Sequence, residues 1–483
     1  MPSSVFDRFH RLAIVGVISA LAGCSNAPTT RVTAQPAAIL SLETAEPLPA
    51  RWWQLYRDPQ LDALVERALR ENKHLEAAGA HVDAMLALLQ QVEGQRRPST
   101  ELSYGLAYGR SRDDQTLAQA TGQSAGGQWS HTPEFALSYT LDLWGAVRYR
   151  IAAAHADAQA ARAVEDELRV TVAAQTARAY AQACVYAHQA QVQRDSVRLL
   201  ARSLDVTQRL QKAGAANELE VARLQGLLEE TRAPLALFAA RRQSALYELA
   251  VLSGQPPEQV SAHSCQQGPR LQAPLPVGEG WALVQRRPDI RRAQAQVRAA
   301  TAAIGLARAQ VYPQITFGAM LGSSAASLGK LGDANAVVYG IGPLLSWQFP
   351  NRQIALAQVT QRRAEAHQAL AQFDATVLDA LKQVEQALVL YQGEQQRRQA
   401  LVAALAHSRR AFDLANRSFL AGGLDALALL DSERNRVSLE TRLAQADLHL
   451  INRQIDLFQA LGGGWQRPDP SPSLPVATLG ARR

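Results

Sequence analysis

Three methionines, three cysteines and an aromatic share of 6% leave this 483-residue chain without the means for a methionine-lined metal path, a disulfide framework or one large aromatic core. Its 10 histidines are scattered. Ser, His and Asp never converge on a nucleophile elbow, and the runs Gly422-Gly423 and Gly462-Gly463-Gly464 do not follow strands as a dinucleotide loop requires. Neither an enzyme nor a bound cofactor is therefore expected. The formal charge of +7 comes without a basic block interleaved with aromatics, and Arg is dispersed among Asp and Glu, which argues against a nucleic-acid partner.

What is present is alternation followed by very long helical pattern. Phe135, Leu137, Tyr139, Leu141 and Leu143 alternate with Glu134, Ala136, Ser138, Thr140 and Asp142, which predicts a strand with one apolar and one polar face. After Trp144-Gly145 an Ala-rich, Pro-free run continues to Lys212 and predicts a single helix on the order of 100 Å long at ~1.5 Å per residue. The plan is then repeated. Tyr339, Ile341, Pro343, Leu345, Trp347 and Phe349 form a second alternating stretch, and another long helical run starts after Pro350-Asn351. Leu75, Val82 and Pro98 recur 215 residues later as Ile290, Val297 and Pro313. Trp144 and Val172 recur as Phe349 and Val377 at 205, and Gly214 and Gly254 as Gly422 and Gly462 at 208. The chain reads as a tandem duplication whose loops have drifted.

At the amino terminus, Arg8 and Arg11 precede an apolar run from Leu12 to Ala22 that is too short for a permanent span, so residues 1–23 predict a signal peptide. Leu21-Ala22-Gly23-Cys24 resembles a bacterial lipobox, which would make Cys24 a lipidated first residue; the alternative is a plain signal with a chance cysteine. Acyl chains contribute ~0.8 kcal/mol per buried methylene and so tether without spanning. Ser25, where an aspartate would retain the protein, resembles the sorting context for the outer membrane. Residues 24–50 form the anchor and linker, 51–254 the first structural repeat, 255–280 a Pro/Gly-rich connector, 281–465 the second repeat, and 466–483 a Pro-rich tail expected to be disordered.

Within the repeats, strand pairs are expected at about 99–144 and 314–349, with a loop over 111–131. Each long helix turns back through a Gly-containing tip, at Ala213 to Asn217 and at Ala421 to Asp425, giving antiparallel helical hairpins. Gln193 and Arg398 interrupt otherwise apolar seams and would face water or a neighbouring helix. Cys184 lies in the first long helix and Cys265 in the connector; free thiols are the default, although an oxidising compartment permits a bond between them.

Strands of about 9 to 11 residues with no charge on the apolar face have the length to cross a bilayer when tilted. Four strands cannot close a barrel, and lipid tolerates no open edge, so several chains would have to join. The opposing reading is a soluble sheet covering a helical core.

Trp52-Trp53 with Asp58-Pro59-Gln60-Leu61, Asp142-Leu143-Trp144-Gly145, Arg287-Pro288-Asp289-Ile290 with Tyr312-Pro313, and Leu461-Gly462-Gly463-Gly464-Trp465 occur in an order and spacing that resembles the outer-membrane efflux factors of the TolC and OprM type, lipoprotein branch. The resemblance covers nearly the whole mature chain. It implies an α+β membrane protein in which a homotrimeric β-barrel, with four strands per chain, continues into a long periplasmic α-helical barrel. It implies an outer-membrane, lipid-anchored channel that conducts small toxic compounds or drugs passively, docked to a periplasmic adaptor and an inner-membrane resistance-nodulation-division pump. By the same resemblance Leu427 and Asp431 would constrict the periplasmic mouth and Arg434 would pair with a carboxylate to hold it shut. The plainer alternative is a solvated helix face with a local Asp431 to Arg434 contact. The turn residues Gly214, Ala215, Asn217, Gly422, Gly423 and Asp425 would meet the adaptor, or simply reverse the chain. Pro350-Asn351 departs from the glycine that many relatives carry at that corner. A polypeptide-secretion channel and a periplasmic coiled-coil scaffold that never inserts are the competing functions.

Overall fold

The computed structural model describes residues 49–464 apart from 111, 123, 125, 215, 260–264, 266–267, 272–285 and 348–351. The signal segment, Cys24, nearly all of the linker, Ala215, Pro350, Asn351, Trp465 and the tail therefore lie outside the described residues, as does much of the connector.

Helices α1 (Pro59–Glu71) and α2 (Lys73–Gly94) lead into strand β1 (Ser99–Gly109), a short helix α3 (Arg112–Thr121) and strand β2 (Gln128–Leu141). The hairpin of α4 (Ala146–Lys212) and α5 (Glu218–Leu252) completes the first half. The second half runs through α6 (Pro288–Ala309), β3 (Gln314–Ser323), β4 (Val337–Ser346), α7 (Arg352–Leu420) and α8 (Ala426–Ala460). At 67 and 69 residues, α4 and α7 are each on the order of 100 Å long.

Two expectations need correction here. Residues 111–131 are not all loop: α3 occupies their middle, and β2 begins at Gln128 because Gly109 and Gln128 still pair across the hairpin. Residues Gln128 to Pro133 pair with β1 and meet the second strand pair only through one isolated bridge, His131 with Ala325, since the β2–β3 ladder starts at Glu134 opposite Gly322. At the other end β2 stops at Leu141, short of Leu143, because Asp142 is recruited to the helix that follows. Its Oδ1 accepts from Val147 N at 2.9 Å and its Oδ2 from Arg148 N at 3.0 Å, satisfying two first-turn donors of α4.

The core lies where the helices of both halves meet. Trp52, fully buried, stacks on Phe458 of α8 with ring centroids 4.8 Å apart. Leu61, Val65, Val172, Ala173, Tyr180, Leu249 and Ile455 fill the same cluster. Small buried alanines along α4, Ala173, Ala174, Ala177 and Ala181 among them, let helices approach closely. The cysteines overturn their default: Cys184 and Cys265 are joined by a disulfide, with Cα atoms 5.1 Å apart. A cross-link closing a loop of this length stabilises a fold by about 2–5 kcal/mol.

The duplication is visible in hydrogen bonds as well as in sequence. Asn72 Nδ2 donates to Leu252 O at 3.0 Å where α1 meets α5, and Arg287 Nη1 donates to Ala460 O at 2.7 Å where α6 meets α8. These pairs stand 215 and 208 residues apart in the chain, the displacements already seen for their neighbours. Gly254 and Gly462 follow at matching places, both at φ +69°; a Cβ there would lie 2.3 Å from Glu71 O and 2.9 Å from Arg287 Cγ respectively.

Candidate channel wall and mouth

The four strands form one antiparallel sheet in the order β1-β2-β3-β4. The register sets Leu102 against Phe135, Phe135 against Leu321 and Leu321 against Tyr339, so the separate apolar faces of the strands merge into one. That face is uncovered: Leu102 is 79% exposed, Tyr339 80% and Ile341 75%. A soluble sheet would bury it against helices, and among the described residues none is placed to do so. The opposite face carries Glu101, Ser103, Thr132, Glu134, Ser138, Thr140 and Thr316 with glycines between. Both outer strands, β1 and β4, keep one edge unpaired among the described residues. No helix among the described residues is long and apolar enough to cross a membrane.

Trp144 marks the join between sheet and helices. It stacks on Tyr312 with centroids 4.6 Å apart, and its Nε1 donates to Pro313 O at 2.8 Å. An amphipathic indole with a satisfied polar end suits the boundary between apolar and wet surroundings.

The two helical tips are built alike. Gly214 and Gly422 take φ of +78° and +76°, which ends α4 and α7 in the left-handed region glycine favours. Asn217 then accepts from Glu220 N at 2.9 Å and Asp425 from Ala428 N at 2.7 Å, each capping the returning helix. Gly423 N bonds back to Ser418 O at 2.9 Å. Just beyond the second tip, Leu430 is buried with Leu200, Leu224 and Leu228, which locks α8 against the first hairpin. Leu427 is half-buried beside it and Asp431 is exposed. Arg434 reaches past Asp431: its Nη2 donates to Glu230 Oε1 on α5 at 2.8 Å, so the local Asp431 contact of the plainer reading gives way to one between repeats.

Sequence reasoning missed Glu230 and the ion network above it. Glu433, 2% exposed, accepts from Arg436, which also donates to Glu440, and Arg409 of α7 joins at the same Glu440 oxygen at 2.9 Å. Hydrogen bonding to Glu433 pushes the Arg436 guanidinium up from its ordinary value, outweighing the burial that lowers it. Acidic and basic residues three or four apart on α8 were visible, but the burial of Glu433 was not. The seam breaks resolve towards neighbouring helices: Gln193 Nε2 donates to Thr231 O at 2.6 Å, and Arg398 Nε donates to Asp447 Oδ1. Among the described residues no group of three or more His, Cys, Asp or Glu side chains is arranged to hold a metal ion.

The family model described as outer membrane efflux protein matches residues 64–255 and 282–463. A pyoverdine export outer membrane protein, OpmQ, of Pseudomonas putida is 29% identical over 476 residues, covering 96% of this chain and 99% of its own. The solved outer-membrane channel OprN is 29% identical with a TM-score of 0.81, covering 92% of this chain and all of that one. The Campylobacter jejuni CmeC outer membrane channel superimposes with a TM-score of 0.83 over 91% of this chain and 95% of that one at 19% identity, a likeness of fold.

Proposed function

Because the chain belongs to the outer membrane efflux protein family, a family of channels rather than enzymes, we propose that three copies assemble into a twelve-stranded barrel that continues into a periplasmic helical tunnel. The observation that carries this reading is the sheet itself: a continuous, exposed apolar face and two unpaired edges. In lipid an unpaired edge costs several kcal/mol per unsatisfied group, whereas pairing β1 of one copy with β4 of the next closes the wall. Contact of the apolar face with lipid then turns the opposite face, with Glu101, Ser103, Glu134, Thr140 and Thr316, towards the lumen.

On this reading Cys24 carries the lipid anchor, and the tunnel hangs into the periplasm. The tips at Gly214 to Asn217 and Gly422 to Asp425 are the points farthest from the barrel, and they dock a periplasmic adaptor that links the channel to an inner-membrane pump of the resistance-nodulation-division type. The cargo is small toxic compounds or drugs, and the energy comes from the partner pump. Leu427 and Asp431 narrow the mouth. Arg434, bound to Glu230, holds it narrow until helix pairs untwist. The names of the similar proteins favour small-molecule export over polypeptide secretion, since one is a pyoverdine exporter.

Reconstitution tests the proposal. Full-length protein extracted from outer membranes should migrate as a heat-modifiable trimer and produce discrete single-channel conductance in planar bilayers. A monomer in detergent and lipid, or bilayers that stay silent, would overturn it.

A further inference from the structure

One described part of the connector, Cys265 and residues 268–271, lies across helices of both repeats. Its first end is covalently fixed to α4 through the bond from Cys265 to Cys184. Gly268 then sits so close that a Cβ would be 3.1 Å from Val185 Cγ2 on α4 and 3.2 Å from Ile451 Cδ1 on α8. Pro269 is buried and Leu271 packs on the main core. At the far end Arg270 Nη2 donates to Asp447 Oδ2 of α8 at 3.3 Å, and the other oxygen of the same carboxylate accepts from Arg398 of α7. One short segment therefore holds α4 by a covalent bond, α8 by packing and charge, and α7 through a shared carboxylate.

From this convergence we infer that Cys265 and residues 268–271 form a strap that makes the two helical hairpins move as one body at the level of Cys184 and Asp447. The inference rests on the reading of the mouth as the part that opens. Movement is then confined to the stretches on the tip side of the strap, residues 185–212 of α4 and 426–446 of α8, roughly 30–40 Å of helix. Hairpins free to slide at the strap would transmit tip motion upward and would rest less firmly closed. The strap is a positioning device: it touches no cargo and acts through the helices it joins. Because the tie is a disulfide, it is made only in an oxidising compartment.

The test uses full-length protein in planar bilayers and compares three states: oxidised wild type, wild type after treatment with a phosphine reductant, and Cys184→Ala with Cys265→Ala. Arg270→Ala and Arg270→Lys probe the ionic end. Opening events of the mouth should become at least about fivefold more frequent when the disulfide is absent, the lower end of typical coupling between sites. Arg270→Ala should act in the same direction and Arg270→Lys should restore most of the wild-type behaviour. Thermal unfolding of each sample is measured alongside. Reducing the folded wild type provides the comparison even where the cysteine variant folds poorly. A lower melting temperature with unchanged opening frequency would reduce the strap to a stabilising cross-link and overturn the inference. Free thiols in oxidised wild type, found by mass after alkylation, would overturn it too. Conductance that ignores redox state defeats the strap alone, whereas silence in every state defeats the channel reading with it.

Discussion

Arg434 Nη2 donates to Glu230 Oε1 at 2.8 Å, joining α8 of the second repeat to α5 of the first across 204 positions of sequence. With the two side chains 59% and 62% exposed, the pair is worth at most about 1 kcal/mol and is screened by salt. Such a tie suits a contact that has to be broken in use.

Arg434→Ala and Glu230→Ala should therefore each raise single-channel conductance, and the double variant should do no more than either alone. Asp431→Ala combined with Arg434→Ala should raise it further by removing the carboxylate from the mouth. The increments should shrink as salt rises towards 1 M, where screening acts over ~3 Å. Unchanged conductance in all of these variants would remove the gate from these residues.

Gly254→Ala and Gly462→Ala should be costly and alike, because both glycines hold φ at +69° against the backbone or side chain of the other end of the repeat. Left-handed strain of about 1–2 kcal/mol comes with a steric clash in each. A control substitution at Gly226, where a Cβ meets nothing within 4 Å, should leave thermal unfolding near wild type. Equal melting temperatures for Gly254→Ala and Gly226→Ala would contradict the packing described.

Glu101 and Glu134 are the charged residues on the polar face of β1 and β2, two rungs apart in the register. In a closed barrel that face lines the lumen, and the carboxylates there attract cations. Reversal potentials in a potassium chloride gradient should show cation preference, and Glu101→Gln with Glu134→Gln should weaken it without loss of trimer. An unaltered reversal potential would place selectivity elsewhere.

Tyr180 donates to Asp58 Oδ2 at 2.8 Å, and burial first, then that bond, pushes its phenol above the ordinary value of 10.0. A group raised on folding contributes stability that is complete below its unfolded pKa and disappears as pH climbs through the folded one. Stability should hold to about pH 10 and fall beyond it. Tyr180→Phe should lower stability near neutral pH by about 1 kcal/mol and make the alkaline decline shallower. A decline as steep as wild type would exclude Tyr180 as its source.

The strands and long helices were legible because each has one unbroken period: Leu102 to Tyr108 alternates strictly, and no proline interrupts residues 146–212. Where a local signal competes, legibility fails. Asp142 continues the alternation in sequence but spends both carboxylate oxygens on α4, ending β2 early. At Pro234, by contrast, the reading of one unbroken return helix from Glu218 holds: α5 runs through the proline, carried by packing against α4. Contacts between distant segments were less legible: Glu230 with Arg434 left no trace, and the bond between Cys184 and Cys265 stood only as one allowed by the compartment, because both are set by how the helices pack. Drifting displacements of 215, 205 and 208 also concealed that Asn72 and Arg287 do the same work.

The drop in displacement from 215 to 205 records ten residues that the first strand pair has and the second lacks. They fall in the region that holds α3 and the upper rungs of β1 and β2, past the end of the β2–β3 ladder. In the proposed trimer the rim would be crenellated, with three tall merlons separated by three low gaps. In that ring the tallest points would come from the first repeat, so a peptide grafted between Thr121 and Gln128 would be displayed there while every ladder beneath it stays intact.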